Sequence, residues 1–159
     1  MNIFYLHKDP VLCAKAHCDK HVVKMLLETA QMLSTAHRIL DGADAPDILY
    51  KKAYPNHPST IWCRTNRLHY NWLYELFVGL CCEYAKRYDK IHKCQTNLDF
   101  ALSVAPHNIP DKPWSDPPQC MPDKYQDRST VTAYRRYYVH DKSRFATWNK
   151  GTDKPKWMA

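Results

Sequence analysis

The feature that most constrains this fold is a helical repeat of apolar residues near the start of the chain. Apolar side chains recur at helical spacing from about residue 10 to about residue 40, where the turn-forming sequence DGADAP follows. Asp9-Pro10 begins the repeat, because Asp suits a helix cap and Pro suits the first helical position. The sequence therefore predicts one long helix over 10–40 that is buried on most of its sides.

A narrow polar strip runs along this predicted helix. At about 100° per residue, its members fall within an arc of about 100°. The strip consists of His17, Lys20, His21, Lys24, Glu28, Gln31 and Thr35. Crowded cations and partial burial lower the pKa of a lysine, which creates a nucleophile or base near neutral pH. We therefore predict that Lys24, Glu28, His17, His21 and Lys20 are catalytic residues lining a cleft.

Two other interpretations of the strip remain open. It also fits the solvated face of a central helix, since structural ion-pair networks resemble catalytic ones. Alternatively, His17 and His21, at helical spacing i and i+4, share a metal ion in a hydrolase. The sequence HCDKH differs from the zinc-protease pattern H-E-x-x-H, so no metal is predicted.

A second long helix is predicted over about 60–88, capped by Ser59 or Thr60. It carries a polar strip of its own, in which Arg64, Arg67, Asn71 and Glu75 fall within an arc of about 80°. If the two strips face each other, they line a basic cleft with Glu28 and Glu75 on opposite walls. If they face away from each other, each simply meets water.

The rest of the chain predicts further helix and no sheet. NIFYL at 2–6 is either a short strand or an extended arm, and a shorter helix fits 95–104. An ordered Pro-rich loop is predicted over 105–128, and a last helix begins after Ser129 and runs to about 148. The tail, 149–159, is predicted to be partly mobile unless Trp157 docks. Because strands and helices do not alternate, we predict an all-α bundle forming a single domain over 1–159.

Charge and composition favour a polyanionic partner. The formal net charge is +7, and the last predicted helix interleaves basic residues with tyrosines. These basic residues are Arg135, Arg136, Lys142 and Arg144. Cations suit phosphates and rings suit bases, so DNA or a nucleotide is the predicted partner. Together with Arg64, Arg67 and Asn71, these four residues are the predicted anion-binding set.

Other features bear on class and location. Only 3 glycines occur, and no phosphate-binding glycine motif is found, so no cofactor is predicted. The 7 cysteines, with no apparent signal peptide or membrane span, predict a cytoplasmic protein with reduced thiols. Apolar residues around most of the first helix would also suit a dimer interface.

Three segments carry a resemblance to known proteins. MNIFYLHKDP, HCDKHVVKM and PPQCMPDKY are similar to a group of proteins of large tailed bacteriophages, a likeness that brings no activity with it. AKAHCDKHVVKMLLE and the segment from HPSTIWCRTNRL to EYAKRY resemble the first and second helices of the pyrimidine-dimer DNA glycosylase/lyase family of T-even phages (endonuclease V). His17 matches the helix histidine of that family. The resemblance implies a small all-α enzyme that excises bases from DNA.

The chain departs from that family at its chemistry. The family's nucleophile is the α-amine of the residue exposed when Met is removed, whereas here Asn2 is too large for routine Met excision. The family's catalytic Glu falls on Lys24, and the nearest acid is Glu28. We therefore predict a DNA glycosylase, possibly also an AP lyase, in which Lys24, Lys20 or the terminal amine attacks the sugar. The alternatives are a non-catalytic binder of nucleotides or nucleic acid and the metal-dependent hydrolase.

Overall fold

In the computed structural model, which describes residues 1–158, the chain forms a bundle of helices. The α-helices are α1 (Pro10–Ala16), α2 (Asp19–Asp41), α3 (Pro58–Thr65), α4 (Arg67–Tyr88), α5 (Lys93–Leu102) and α6 (Thr130–Tyr137). A π-helical turn, Tyr138–Lys142, continues α6. No strand occurs in residues 1–158, so the all-α prediction is confirmed. The 2–6 segment is an extended, buried arm.

The first predicted helix is broken in two, which corrects the sequence interpretation. Asp9 caps α1 as predicted, but α1 ends at Ala16, the backbone of His17 is extended, and α2 begins at Asp19. Arg87 from α4 explains the break, because its guanidinium donates to the carbonyl oxygens of Lys15 and His17 at 3.0 and 2.7 Å. These carbonyls lie at the end of α1, where helices leave carbonyl groups unpaired.

The same arginine joins the two helices to α4. Arg87 contacts Asp19 at 3.2 Å and Glu83 at 2.9 Å, and all three side chains are buried. Burying charges is costly unless they are paired, so this network is stable only when it is complete. The break between α1 and α2 is therefore set by a residue about 70 positions away in the chain.

The second predicted helix is broken as well, at Asn66. Asn66 is extended, and its side chain accepts from the N–H of His69 and donates to the Pro113 carbonyl. His57 rather than Ser59 or Thr60 caps α3. The shorter predicted helix, 95–104, corresponds to α5, but the last predicted helix ends six residues early, at Lys142 rather than about 148.

One continuous hydrophobic core joins α1–α6 and the N-terminal arm. Helices α1 and α4 pack closely, because a Cβ built on Gly79 would lie 2.8 Å from Cβ of Ala14. The Pro-rich segment crosses this bundle without helix between Ala105 and Pro122, and Ser115 accepts the indole N–H of Trp62 on its carbonyl. Trp157 docks against Tyr138, with ring centroids 6.0 Å apart. No helix among residues 1–158 is long and apolar enough to cross a membrane.

Candidate active site

The start of the chain lies against the middle of α2. The α-amine nitrogen of Met1 is 3.0 Å from Oε1 of Glu28, and Nζ of Lys24 is 3.9 Å from Oε2 of the same carboxylate. The Met1 side chain is 1% exposed although the residue as a whole is only half-buried. The exposed surface of Met1 therefore belongs to its main chain, which includes the amine.

The surrounding fold explains this placement. Ile3, Phe4 and Leu6 bury their side chains in the core, which fixes the direction of the arm. Glu28 is half-buried, with 13% of its side chain exposed, so it reaches solvent and the amine at once. This arrangement suits catalysis, in which the Glu28 carboxylate would act as the acid–base group and a neighbouring amine as the nucleophile.

His57 lies at the edge of this pair. The pKa of His57 is lowered, first by burial and then by the positive charge of the Met1 amine, while Glu28 opposes the shift. Its Nδ1 accepts the N–H of Ser59 at 3.1 Å, which leaves the ring proton of the neutral form on Nε2. His57 was not among the sequence candidates. The available signal was its position directly before Pro58, where a residue that caps the helix is expected.

The two predicted catalytic histidines lie in the core, apart from this carboxylate. His17 is fully buried in the break after α1, so it is no longer in register with the strip on α2. His21 is 3% exposed, with Nδ1 2.6 Å from the Tyr138 hydroxyl. Burial lowers the pKa of His17 to about 4 and that of His21 to about 3. Both histidines are therefore uncharged at neutral pH. Neither of them forms a hydrogen bond with Glu28.

The remaining members of the strip become more buried from the start of α2 toward its end. Lys20 and Lys24 are exposed, Glu28 and Gln31 are half-buried, and Thr35 is buried. Among residues 1–158, no group of three or more His, Cys, Asp or Glu side chains is placed to hold a metal ion.

An exposed basic surface adjoins the Met1–Glu28 pair. We call Lys20, Lys24 and Lys150 the lysine face; they line a shallow depression of about 510 Å³ together with Tyr88. Nζ of Lys150 lies over the Tyr88 ring at 5.2 Å, and Nζ of Lys20 lies over the Phe145 ring at 4.8 Å. Cations beside aromatic rings match the groups that contact phosphates and bases. Lys150 was not among the sequence candidates. The available signal was that lysines of the C-terminal tail lie between Trp148 and Trp157.

The residues of the strip on the second helix contact groups other than the strip on the first. Arg67 pairs with Asp111 at 2.9 Å, and Glu75 lines an apolar groove between α1 and α4. Arg64 is half-buried, with Nη1 buried and unpartnered, and Asn71 is exposed. The break at Asn66 changes the register between Arg64 and the α4 residues, which is why a single-helix projection misplaced them.

The predicted cations of the C-terminal region have mixed surroundings. Arg136 pairs with Asp127 at 3.1 Å, and Lys142 pairs with Asp141 at 3.3 Å. Arg135 donates to the Leu6 carbonyl at 2.9 Å and stacks on Trp157. Arg144 is exposed. Their role in binding DNA stays a prediction.

Comparison with known proteins agrees with the resemblance seen in the sequence. The family model for pyrimidine dimer DNA glycosylase matches residues 1–96, which is more than half of the 159-residue chain. The match includes α1–α4 and therefore Met1, Lys24, Glu28 and His57. Searches of curated proteins and of solved structures found no significant match. The chain therefore belongs to the pyrimidine dimer DNA glycosylase family, as a DNA glycosylase that takes DNA as its partner.

Proposed function

We propose that this DNA glycosylase acts on pyrimidine dimers, has a coupled AP-lyase activity, and uses the Met1 α-amine as its nucleophile. The observation that carries the proposal is the 3.0 Å separation between that amine and Oε1 of Glu28. The family match extends over both residues. The amine replaces Lys24 and Lys20 as the favoured nucleophile.

The lysines are less suited to the attack. Nζ of Lys24 is 3.9 Å from Glu28 on a side chain that is 61% exposed, so it is loosely held. Lys20 lies over the Phe145 ring. The amine, by contrast, is attached to a buried arm, and such preorganisation favours reaction. As a class, chain-terminal amines also lose their proton at a pH about 2.5 units below that of lysine amines.

The chemistry follows from a nucleophile beside a carboxylate. The lone pair of the neutral amine forms a bond to C1′ of the damaged nucleotide, and the C1′–N bond to the base breaks, its electron pair leaving with the base. Glu28, while ionised, stabilises the cationic sugar in the transition state, and it then accepts the proton that the amine loses. The C1′–O4′ bond then breaks, O4′ takes up the proton that Glu28 accepted, and a protonated imine forms between the Met1 nitrogen and C1′. Removal of a C2′ proton breaks the C3′–O bond, which is the lyase step.

The lysine face supplies the matching DNA contact. Lys24 belongs both to this face and to the Glu28 pair, so phosphates bound along the face would bring the sugar next to the amine. A target nucleotide has to leave the base stack to reach such a site.

The test is single-turnover trapping. The purified protein, with its start at Met1 verified by intact mass, is incubated with duplex DNA containing an abasic site and treated with borohydride, and the adduct is located by peptide mapping. We expect the adduct on the N-terminal peptide. Glu28→Gln should slow trapping by at least about 100-fold, because a general acid–base group contributes about 10²–10⁴ in rate.

Lys24→Ala is the matched control, since Lys24 contacts the same carboxylate. It should leave the adduct on Met1 and weaken DNA binding. An adduct on Lys24 or Lys20 would reject the amine as nucleophile. Tight binding of ultraviolet-irradiated duplex with neither base release nor an adduct would instead favour the non-catalytic binder, which the lysine face alone supports.

A further inference from the structure

The second residue of the chain is tied down by its side chain. Nδ2 of Asn2 donates to the carbonyl of Cys120 at 3.1 Å, and Oδ1 of Asn2 accepts the N–H of Ile3 at 2.8 Å. Residues at a chain terminus ordinarily fray unless they are anchored. Here a residue adjacent to the amine is anchored to a segment 118 positions away.

A buried tyrosine completes the attachment. The hydroxyl of Tyr134, in α6, lies 3.0 Å from Oδ1 of Asn2 and 2.5 Å from the carbonyl oxygen of Pro118, and it accepts the N–H of Cys120 at 3.1 Å. Since the hydroxyl has one proton, it donates to one of the two oxygens at a time. Tyr134 is fully buried, whereas Asn2, Pro118 and Cys120 are half-buried.

We propose that Asn2, Tyr134 and the 118–120 segment form a clamp that positions the Met1 α-amine against Glu28. The proposal rests on the proposed function, in which that amine is the nucleophile. The clamp lies outside the 96 residues shared with the family model, except for Asn2 itself. Tyr134 and Asn2 are positioning residues, since their polar groups are engaged with each other and with the 118–120 segment.

The buried Met1 side chain makes this placement depend on where the chain begins. It is 1% exposed and packs against the core, which also limits the movement of the amine. In a chain that began at Asn2, the terminal nitrogen would lie one residue further along, about 3.5 Å from its present position. A misplacement of about 1 Å in a reacting group can already cost about 100-fold in rate.

The test compares two buried tyrosines. Tyr134→Phe removes the clamp hydroxyl, while Tyr70→Phe removes an equally buried hydroxyl that donates to the Leu102 carbonyl at 2.7 Å, in a different part of the core. Single-turnover trapping rates with abasic DNA and dissociation constants for the same duplex are measured for both. We expect trapping by Tyr134→Phe to slow at least about 10-fold with DNA affinity unchanged within about twofold. Tyr70→Phe should trap at the wild-type rate.

A second variant tests whether the contacts act as one unit. Asn2→Leu removes all three polar contacts of the carboxamide and keeps a bulky second residue, so Met1 is retained; intact mass verifies this. If the clamp acts as a unit, the double variant Asn2→Leu/Tyr134→Phe loses no more than the slower single variant. Losses that multiply would overturn the clamp.

The remaining outcomes decide the proposal as well. Trapping by Tyr134→Phe at the wild-type rate, or an equal loss in Tyr70→Phe, overturns the clamp. If the wild-type protein forms no adduct on Met1, the proposed nucleophile fails, and the clamp is then judged by amide hydrogen exchange of residues 2–6. Faster exchange in Tyr134→Phe alone supports the clamp, and unchanged exchange overturns it.

Discussion

Acid should destabilise the folded protein through His17. Nδ1 of this buried histidine donates to the Cys13 carbonyl at 2.7 Å, whereas Nε2 is buried without a partner. A second ring proton would therefore occupy a site with no acceptor. The pKa of His17 is lowered from its ordinary 6.5 to about 4, chiefly by burial and also by the Arg87 charge, whereas the hydrogen bond to Cys13 and the charge of Glu83 oppose the shift.

The sign and size of the effect follow from linkage. Between pH 6.5 and about 4, the unfolded chain binds a proton at His17 that the folded protein does not. The stabilising contribution is thus fully present above pH 6.5 and is lost as the pH falls toward 4. A pH of 5 is about 1.5 units below the ordinary pKa of histidine. The folded protein therefore loses about 2 kcal/mol of unfolding free energy at this pH.

The measurement is urea unfolding of the wild type and His17→Gln at pH 7 and pH 5. The glutamine amide retains a donor for the Cys13 carbonyl but does not titrate. Between the two pH values, the wild type should lose about 2 kcal/mol more unfolding free energy than His17→Gln. His140→Gln, at an exposed histidine, serves as the control and should follow the wild type. If His17→Gln also follows the wild type, within about 0.5 kcal/mol, the argument from burial is wrong.

Three further predictions address stability and binding. Arg87→Met leaves two buried carboxylates without a cation, and urea unfolding should show a loss of about 3–5 kcal/mol; a loss below about 1 would mean the network contributes little. Gly79→Ala should destabilise by about 1–3 kcal/mol, because the added Cβ meets Ala14, whereas helix propensity alone predicts a gain. Lys150→Ala should reduce the salt dependence of DNA binding, measured by fluorescence anisotropy, by about one unit of slope. Arg67→Ala should leave that slope unchanged, because Asp111 already neutralises Arg67; equal slopes for both variants would exclude a special role for the lysine face.

The sequence by itself determined the helical class and several local features. Helical periodicity and the absence of alternating strands were enough for an all-α bundle, and Asp9 and Ser129 cap helices as predicted. Glu28 and Lys24 were also placed together correctly, since both lie on one face of α2 one turn apart. These features depend on interactions within a few residues, which a sequence pattern records directly.

The tertiary structure alone decided the helix breaks and the composition of the site. Arg87 ends α1 from a distant helix, which removes His17 from the strip, and Asn66 interrupts the second helix through a bond to Pro113. The pairing of the Met1 amine with Glu28 joins groups 27 positions apart, held by an arm whose contacts lie more than 100 positions away. Helical periodicity does not detect such partners, because it measures only the spacing of residues along the chain. Buried donors, acceptors and charges must be paired, and the folded chain determines which polar groups lie close enough to pair.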